Sequence, residues 1–174
     1  MTEFAGRFEG KRAIITGAAS GIGKAAAVRY AAEGGHVMVA DVQDELGQAV
    51  VREITEAGGQ AFYHHLDVSD EQAWTDAVAK AVEVMGGIDF LANNAGIGDN
   101  EPLDVTSKET YDRVIAITQT SVFLGTKGAV RTFSKNNALG FAPAGVRVNS
   151  IHPASSTPRS WVRPTARCSP TPPR

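Results

Sequence analysis

The sequence predicts an α/β protein, a doubly wound parallel sheet of about five strands with helices on both faces. Three observations carry that reading. Short apolar, strand-like runs alternate with helix-patterned runs along most of the chain. Gly17, Gly21 and Gly23 punctuate the turn between the first strand-like run and the first helical one. An acidic residue, Asp41, ends the second strand-like run.

Taken in order, strands are predicted at residues 12–16, 36–41, 61–66, 88–92 and 146–151. Helices are predicted at 24–33, 45–57 and 71–84, with a longer helical stretch from 107 towards 139. Ser69 with Gln72 has the spacing of a capping box opening the third helix. A continuous helix over 107–139 would measure about 50 Å at 1.5 Å per residue, longer than the sheet is tall. Either one hybrid helix that overhangs the sheet or two segments broken near Gly125 and Gly128 is therefore expected. A strand–helix–strand crossover sets the next strand beside the previous one, so 146–151 is predicted to lie next to 88–92. From Pro153 onward the chain has six of its eight prolines and no acidic residue, and its hydrophobic periodicity stops. Residues 1–153 read as one domain and 154–174 as a disordered Pro/Arg-rich tail.

Composition excludes several classes. A net charge of -2 provides no basic footprint for nucleic acid. The single cysteine, Cys168, cannot form an internal disulfide. Glu3, Arg7, Glu9, Lys11 and Arg12 leave no apolar signal-peptide core. No apolar run approaches the roughly 20 residues that span a bilayer. A cytoplasmic protein with no membrane partner is the expectation. His64 and His65 are adjacent on a strand and face opposite sides, so they cannot chelate one metal. No spacing indicates zinc, and His152, at a strand end, reads as structural.

The segment Thr16-Gly17-Ala18-Ala19-Ser20-Gly21-Ile22-Gly23 carries the chemistry. Glycines at that spacing let backbone approach a pyrophosphate at a helix N-terminus, where free N–H groups and the helix dipole favour negative charge. Gly17, Ser20, Gly21, Ile22 and Gly23 are thus candidate dinucleotide-binding residues. Asp41 follows Gly23 by about eighteen residues, near the spacing of the acid that accepts hydrogen bonds from the adenosine ribose. A carboxylate there repels a 2′-phosphate, and no Arg or Lys follows within a turn. NAD is favoured over NADP. A nucleoside-triphosphate loop is rejected, because positions 18 and 25 are both Ala where that motif needs Gly and Ser/Thr. Asn93-Asn94-Ala95-Gly96 leaves the fourth strand at the edge where a dinucleotide lies.

Together with Leu66-Asp67-Val68 and the run Arg147-Val148-Asn149-Ser150-Ile151-His152-Pro153, these segments resemble the short-chain dehydrogenase/reductase family. The likeness runs from about Gly10 to Pro153. It implies a Rossmann-type sheet, a bound NAD(P), and hydride transfer between small alcohols and carbonyl compounds. It also implies that Asp67 and Val68 contact the adenine. Asn93 and Asn94 would lie by the cofactor and tie the central strands together. The long helical segment resembles the family's dimer-forming helices, so a homo-oligomer is a candidate assembly.

The sequence departs from the family where catalysis is expected. Members use Tyr-x-x-x-Lys, with an upstream serine and a helical asparagine. Here Tyr30, Tyr63 and Tyr111 are followed four residues on by Gly34, Asp67 and Ile115. Thr118 stands where the helical asparagine is expected. Lys127 is the one candidate catalytic residue, with Phe123 four residues upstream in place of a tyrosine. The segments on either side of Lys127 resemble family segments that are normally separated by roughly thirty to forty residues. The chain therefore reads as internally deleted across that lysine, and the tail as a lost frame. Two functions remain open: an oxidoreductase of this family, or a catalytically silent NAD binder or truncated non-functional product.

Overall fold

A computed structural model describes residues 6–98, 105–136 and 147–150, with side chains described through Ala129. The elements are β1 (Arg12–Thr16), α1 (Gly21–Ala32), β2 (His36–Asp41), α2 (Asp44–Glu56), β3 (Gln60–His65), α3 (Glu71–Met85), β4 (Phe90–Asn93), α4 (Lys108–Ile115), a π-helical turn (Ala116–Thr120), α5 (Ser121–Asn136) and β5 (Arg147–Ser150). All strand pairings are parallel, in the order β3-β2-β1-β4-β5. This is the doubly wound, Rossmann-type sheet that the sequence pattern predicts.

The central strands read as continuous apolar runs because they are covered on both faces. Along β1, alternate side chains enter different cores. Ala13 and Ile15 join Val37, Val39, Val50 and Ile54 on one side. Ile14 joins Met38, Leu91, Trp74 and Ala77 on the other. A one-residue slip would exchange these two sets, so packing fixes the register. At the amino edge of the sheet, Arg12 grips Asp89 through Nε and Nη2 at 2.7 and 3.0 Å.

The segment 147–150 does fill the position beside β4, with Phe90 opposite Arg147 and Asn93 opposite Ser150. Two expectations need correction. The third helix is capped by Asp70, whose carboxylate accepts from the N–H groups of Gln72 and Ala73. Ser69 instead donates its hydroxyl to Asp67 at 2.7 Å. Nor does the long helical segment break at Gly125 and Gly128: both lie inside α5, and the irregularity falls at the π-helical turn. Those glycines are there for close packing. A Cβ on Gly125 would sit 2.6 Å from both Asn93 Oδ1 and the Trp74 ring, and one on Gly128 would sit 3.3 Å from Val78. The expected tail at 154–174, His152 and the helix end near 139 lie outside the described residues.

Candidate functional site

The site lies at the carboxyl edge of the sheet, where β1 and β4 diverge to opposite helices. Thr16 ends β1 fully buried and organises the divergence. Its hydroxyl donates to the Ala92 carbonyl at 3.1 Å and accepts from the N–H groups of Asn94 and Ala95, both at 3.0 Å. Asn94 Nδ2 returns a bond to the Thr16 carbonyl at 2.8 Å and reaches the Gly17 carbonyl at 3.3 Å. Asn94 thus ties the two strand ends together, as the resemblance implies.

The glycine loop is built by conformation and by contact. Gly17 and Gly21 adopt φ of +64° and +55°, values that disfavour a side chain. A Cβ on Gly23 would lie 2.2 Å from the Gly17 carbonyl oxygen and 2.5 Å from Asn94 Nδ2. Gly23 therefore shapes the loop from beneath rather than facing the cleft. Ser20 is the N-cap of α1, yet its hydroxyl makes no capping bond. The first N–H groups of α1 have no intrahelical acceptors, as at any helix start.

The cleft above this loop has a volume of about 400 Å³. It gathers Gly17, Ser20, Gly21 and Ile22 from the loop, and Asn94, Ala95 and Gly96 from beyond β4. Asp41, Asp67 and Val68 close its other end. Asp41 is buried, and its carboxylate accepts from the N–H groups of Ala19 at 3.0 Å and Gln43 at 3.1 Å. The hydroxyl and N–H of Ser69 hold the Asp67 carboxyl below the usual carboxylate range, with burial opposing them.

Three candidates lie elsewhere. Gly23 is beneath the loop. Asn93 is buried, with its amide adjacent to Gly125 of α5 and no hydrogen-bond partner among the described residues. Lys127 is not part of the cleft lining: its Nζ meets Glu71 Oε1 at 2.6 Å and lies 5.8 Å from the centre of the Phe123 ring. The three tyrosines are also accounted for. Tyr30 is stacked between Phe8 and Phe90, and burial pushes its hydroxyl up to about 12. Tyr63 is bonded at the β2–α2 turn, and Tyr111 is exposed on α4. None lines the cleft.

Sequence reasoning missed Val42, Gln43, Ile97, Arg113 and Ile117 in the lining. Arg113 and Ile117 are four residues apart and so share a helix face; that spacing was the only available signal. Thr118 donates to the Ile97 carbonyl at 3.2 Å, which fixes the loop beyond β4 against the π-helical turn. His64 and His65 diverge as expected, His65 towards Asp44 and His64 towards Asp76 and Lys80. No cluster able to hold a metal occurs among the described residues. No helix among them is long and apolar enough to cross a membrane.

A parallel sheet of this order with a glycine-loop cleft at its carboxyl edge defines a dinucleotide-binding α/β protein. Comparison makes the class specific. The family model for short chain dehydrogenase matches residues 11–129. The 2,5-dichloro-2,5-cyclohexadiene-1,4-diol dehydrogenase of Sphingobium indicum is 38% identical over 185 positions, covering 86% of this chain and 74% of that enzyme. A short chain dehydrogenase from Burkholderia cenocepacia, solved with NADP, is 36% identical with a TM-score of 0.69, covering 72% of this chain and 51% of that one. A 7α-hydroxysteroid dehydrogenase, solved with NADH and 7-oxo glycochenodeoxycholic acid, is 34% identical with a TM-score of 0.71, covering 78% and 53%. This chain belongs to the short-chain dehydrogenase/reductase family, whose members are NAD(P)-dependent oxidoreductases. It spans about half the length of those solved relatives.

Proposed function

We propose that this chain binds a nicotinamide dinucleotide in the carboxyl-edge cleft, NAD in preference to NADP, and that its hydride transfer to carbonyl compounds is nearly silent. One observation carries the binding half: the Ser20 hydroxyl, which makes no capping bond, the start of α1 and the buried Asp41 carboxylate line one cleft. The donor set fits the coenzyme. N–H groups and a hydroxyl suit a diphosphate, and a carboxylate suits a ribose diol. Open space where a Cβ of Gly21 would stand leaves room for close approach. Ser20 and the α1 N–H groups would hold the diphosphate, Asp41 the adenosine ribose, and Asp67 and Val68 the adenine. Asn94, Ala95 and Gly96 would support the middle of the coenzyme, with Gly23 and Asn93 shaping the walls behind. The nicotinamide, when bound, supplies the hydride acceptor or donor.

The silent half rests on the tyrosines. A carbonyl oxygen that receives a hydride must also receive a proton, and all three phenols stand outside the cleft. A positioned proton donor contributes about 10²–10⁴-fold. A preorganised donor to the oxygen contributes about 10²–10³-fold more. Lys127, the one candidate catalytic residue, meets Glu71 and stands outside the cleft lining, so it supplies no proton donor there. A second reading, an active oxidoreductase on small alcohols or carbonyls, is favoured by family membership and by the dehydrogenase names of the relatives.

NADH fluorescence titration against NADPH, followed by a ketone panel on the same sample, tests both halves. The expected result is NADH binding at least about tenfold tighter than NADPH, a difference of about 1.4 kcal/mol, with turnover at background. Equal affinities would remove the role given to Asp41. Brisk ketone reduction would select the second reading.

A further inference from the structure

We infer that Tyr63 is a positioning residue for Asp41 and so helps set the preference for NAD over NADP; this rests on the reading of Asp41 given above. Tyr63 stands on β3 at the register position of Val39, two residues before Asp41 on the neighbouring strand. Its hydroxyl reaches past the strand end to the turn between β2 and α2. There it lies 2.6 Å from the Asp41 carbonyl oxygen and 2.6 Å from Asp44 Oδ1. The phenol has one proton to share between these two acceptors, and its bond to the Asp41 carbonyl, at the end of β2, is the one that bears on the aim of the Asp41 carboxylate. Burial, then Asp44, raises the phenol above its ordinary range, so it remains a donor at any working pH.

The contacts around the ring are specific. A Cβ on Gly47 of α2 would lie 2.1 Å from the Tyr63 ring, so a glycine, a poor helix former, makes room for it there. His65 Nδ1 meets the same Asp44 oxygen at 2.6 Å and steadies the far side of the turn. The Asp41 carbonyl also accepts from Leu66 N–H at 3.0 Å, so the strand end stays paired without the phenol. The phenol therefore adjusts the aim of Asp41 rather than holding the strand together.

Tyr63→Phe removes the hydroxyl and keeps the ring against Gly47. Titrations with NADH and NADPH would be run on the full chain, on Tyr63→Phe, on Asp41→Ala and on the double variant. Loss of one hydrogen bond predicts NADH affinity weakened about threefold to tenfold in Tyr63→Phe. NADPH affinity should change less than about twofold, because a 2′-phosphate makes no favourable use of the carboxylate. In the Asp41→Ala background, adding Tyr63→Phe should leave NADH affinity unchanged. A role in general stability would weaken both coenzymes alike and would persist without Asp41, and either result overturns the inference. Should Tyr63→Phe not fold, Asp44→Ala decides: it leaves the Tyr63–Asp41 bond and should keep the NADH/NADPH ratio. A collapsed ratio in Asp44→Ala would give the role to Asp44 and overturn the inference. If the unaltered chain binds neither coenzyme, the cleft reading fails and this inference with it. If it binds NADH and Tyr63→Phe keeps the ratio, only the inference fails.

Discussion

Gly23→Ala sets local helix propensity against the packing beneath the loop. Gly23 lies in the first turn of α1, where propensity alone makes Ala about 1 kcal/mol more favourable than Gly. The surroundings oppose it. The new Cβ would meet the Gly17 carbonyl oxygen at 2.2 Å and Asn94 Nδ2 at 2.5 Å. Neither can yield cheaply, since one is backbone and the other is bonded to the Thr16 carbonyl at 2.8 Å. Overpacking typically costs about 1–3 kcal/mol. The net expectation is a loss of up to about 2 kcal/mol, which lowers Tm by up to roughly 4–8 °C for a chain of this size. Relief of the clash moves Gly17 and Asn94, both of which line the cleft, so NADH affinity should fall at least about tenfold. Gly98→Ala is the control, because no atom of the described residues lies within 4 Å of its Cβ and its φ is outside the left-handed region. Thermal melts and NADH titrations of the two variants make the comparison. A Gly23→Ala protein as stable as the parent and with unchanged affinity would refute the geometry given for the loop.

Two further outcomes follow from packing and charge. Gly125→Ala should lower Tm, because about 1 kcal/mol of helix propensity cannot offset overpacking of about 1–3 kcal/mol against Asn93 and Trp74; a raised Tm would contradict the packing assigned to α5. Glu33 is buried at the end of α1 and bonded to Arg7 and Arg29. Arg7 does most to hold its carboxyl down at about 2, with burial opposing and Arg29 assisting. The folded value lies below the ordinary 4.5, so this group's contribution is complete above 4.5 and is lost as pH falls towards 2. Urea midpoints across that window should fall less steeply for Glu33→Gln than for the parent, and equal slopes would remove the role given to Glu33.

Much of the fold was legible because strand and helix periods differ and each side chain answers to a core. β1 and β2 match their predicted bounds, since unbroken apolar runs flanked by glycine turns allow few alternatives. The loop was legible for a related reason: its chemistry is local and needs only glycine spacing and a helix start. What stayed hidden depends on contacts distant in sequence. Gly125 looks like a breaker until Trp74, about fifty residues earlier, is seen packed against it. Asp70 and Ser69 are neighbours that can both cap, and Asp67 engages Ser69 first. Lys127 and Phe123 share a helix face as spacing predicts, but only the packing of α3 against α5 shows that Glu71 holds the lysine. Arg113 enters the cleft from a helix whose sequence carries no coenzyme signature.

Calorimetric titration of NADH into the purified chain tests the central claim most directly. Saturable heat at one coenzyme per chain, weakened by Gly23→Ala and retained in Gly98→Ala, is the result predicted by a diphosphate seat at the start of α1. Absence of heat with the coenzyme at millimolar concentration, from a sample that melts cooperatively, would contradict it.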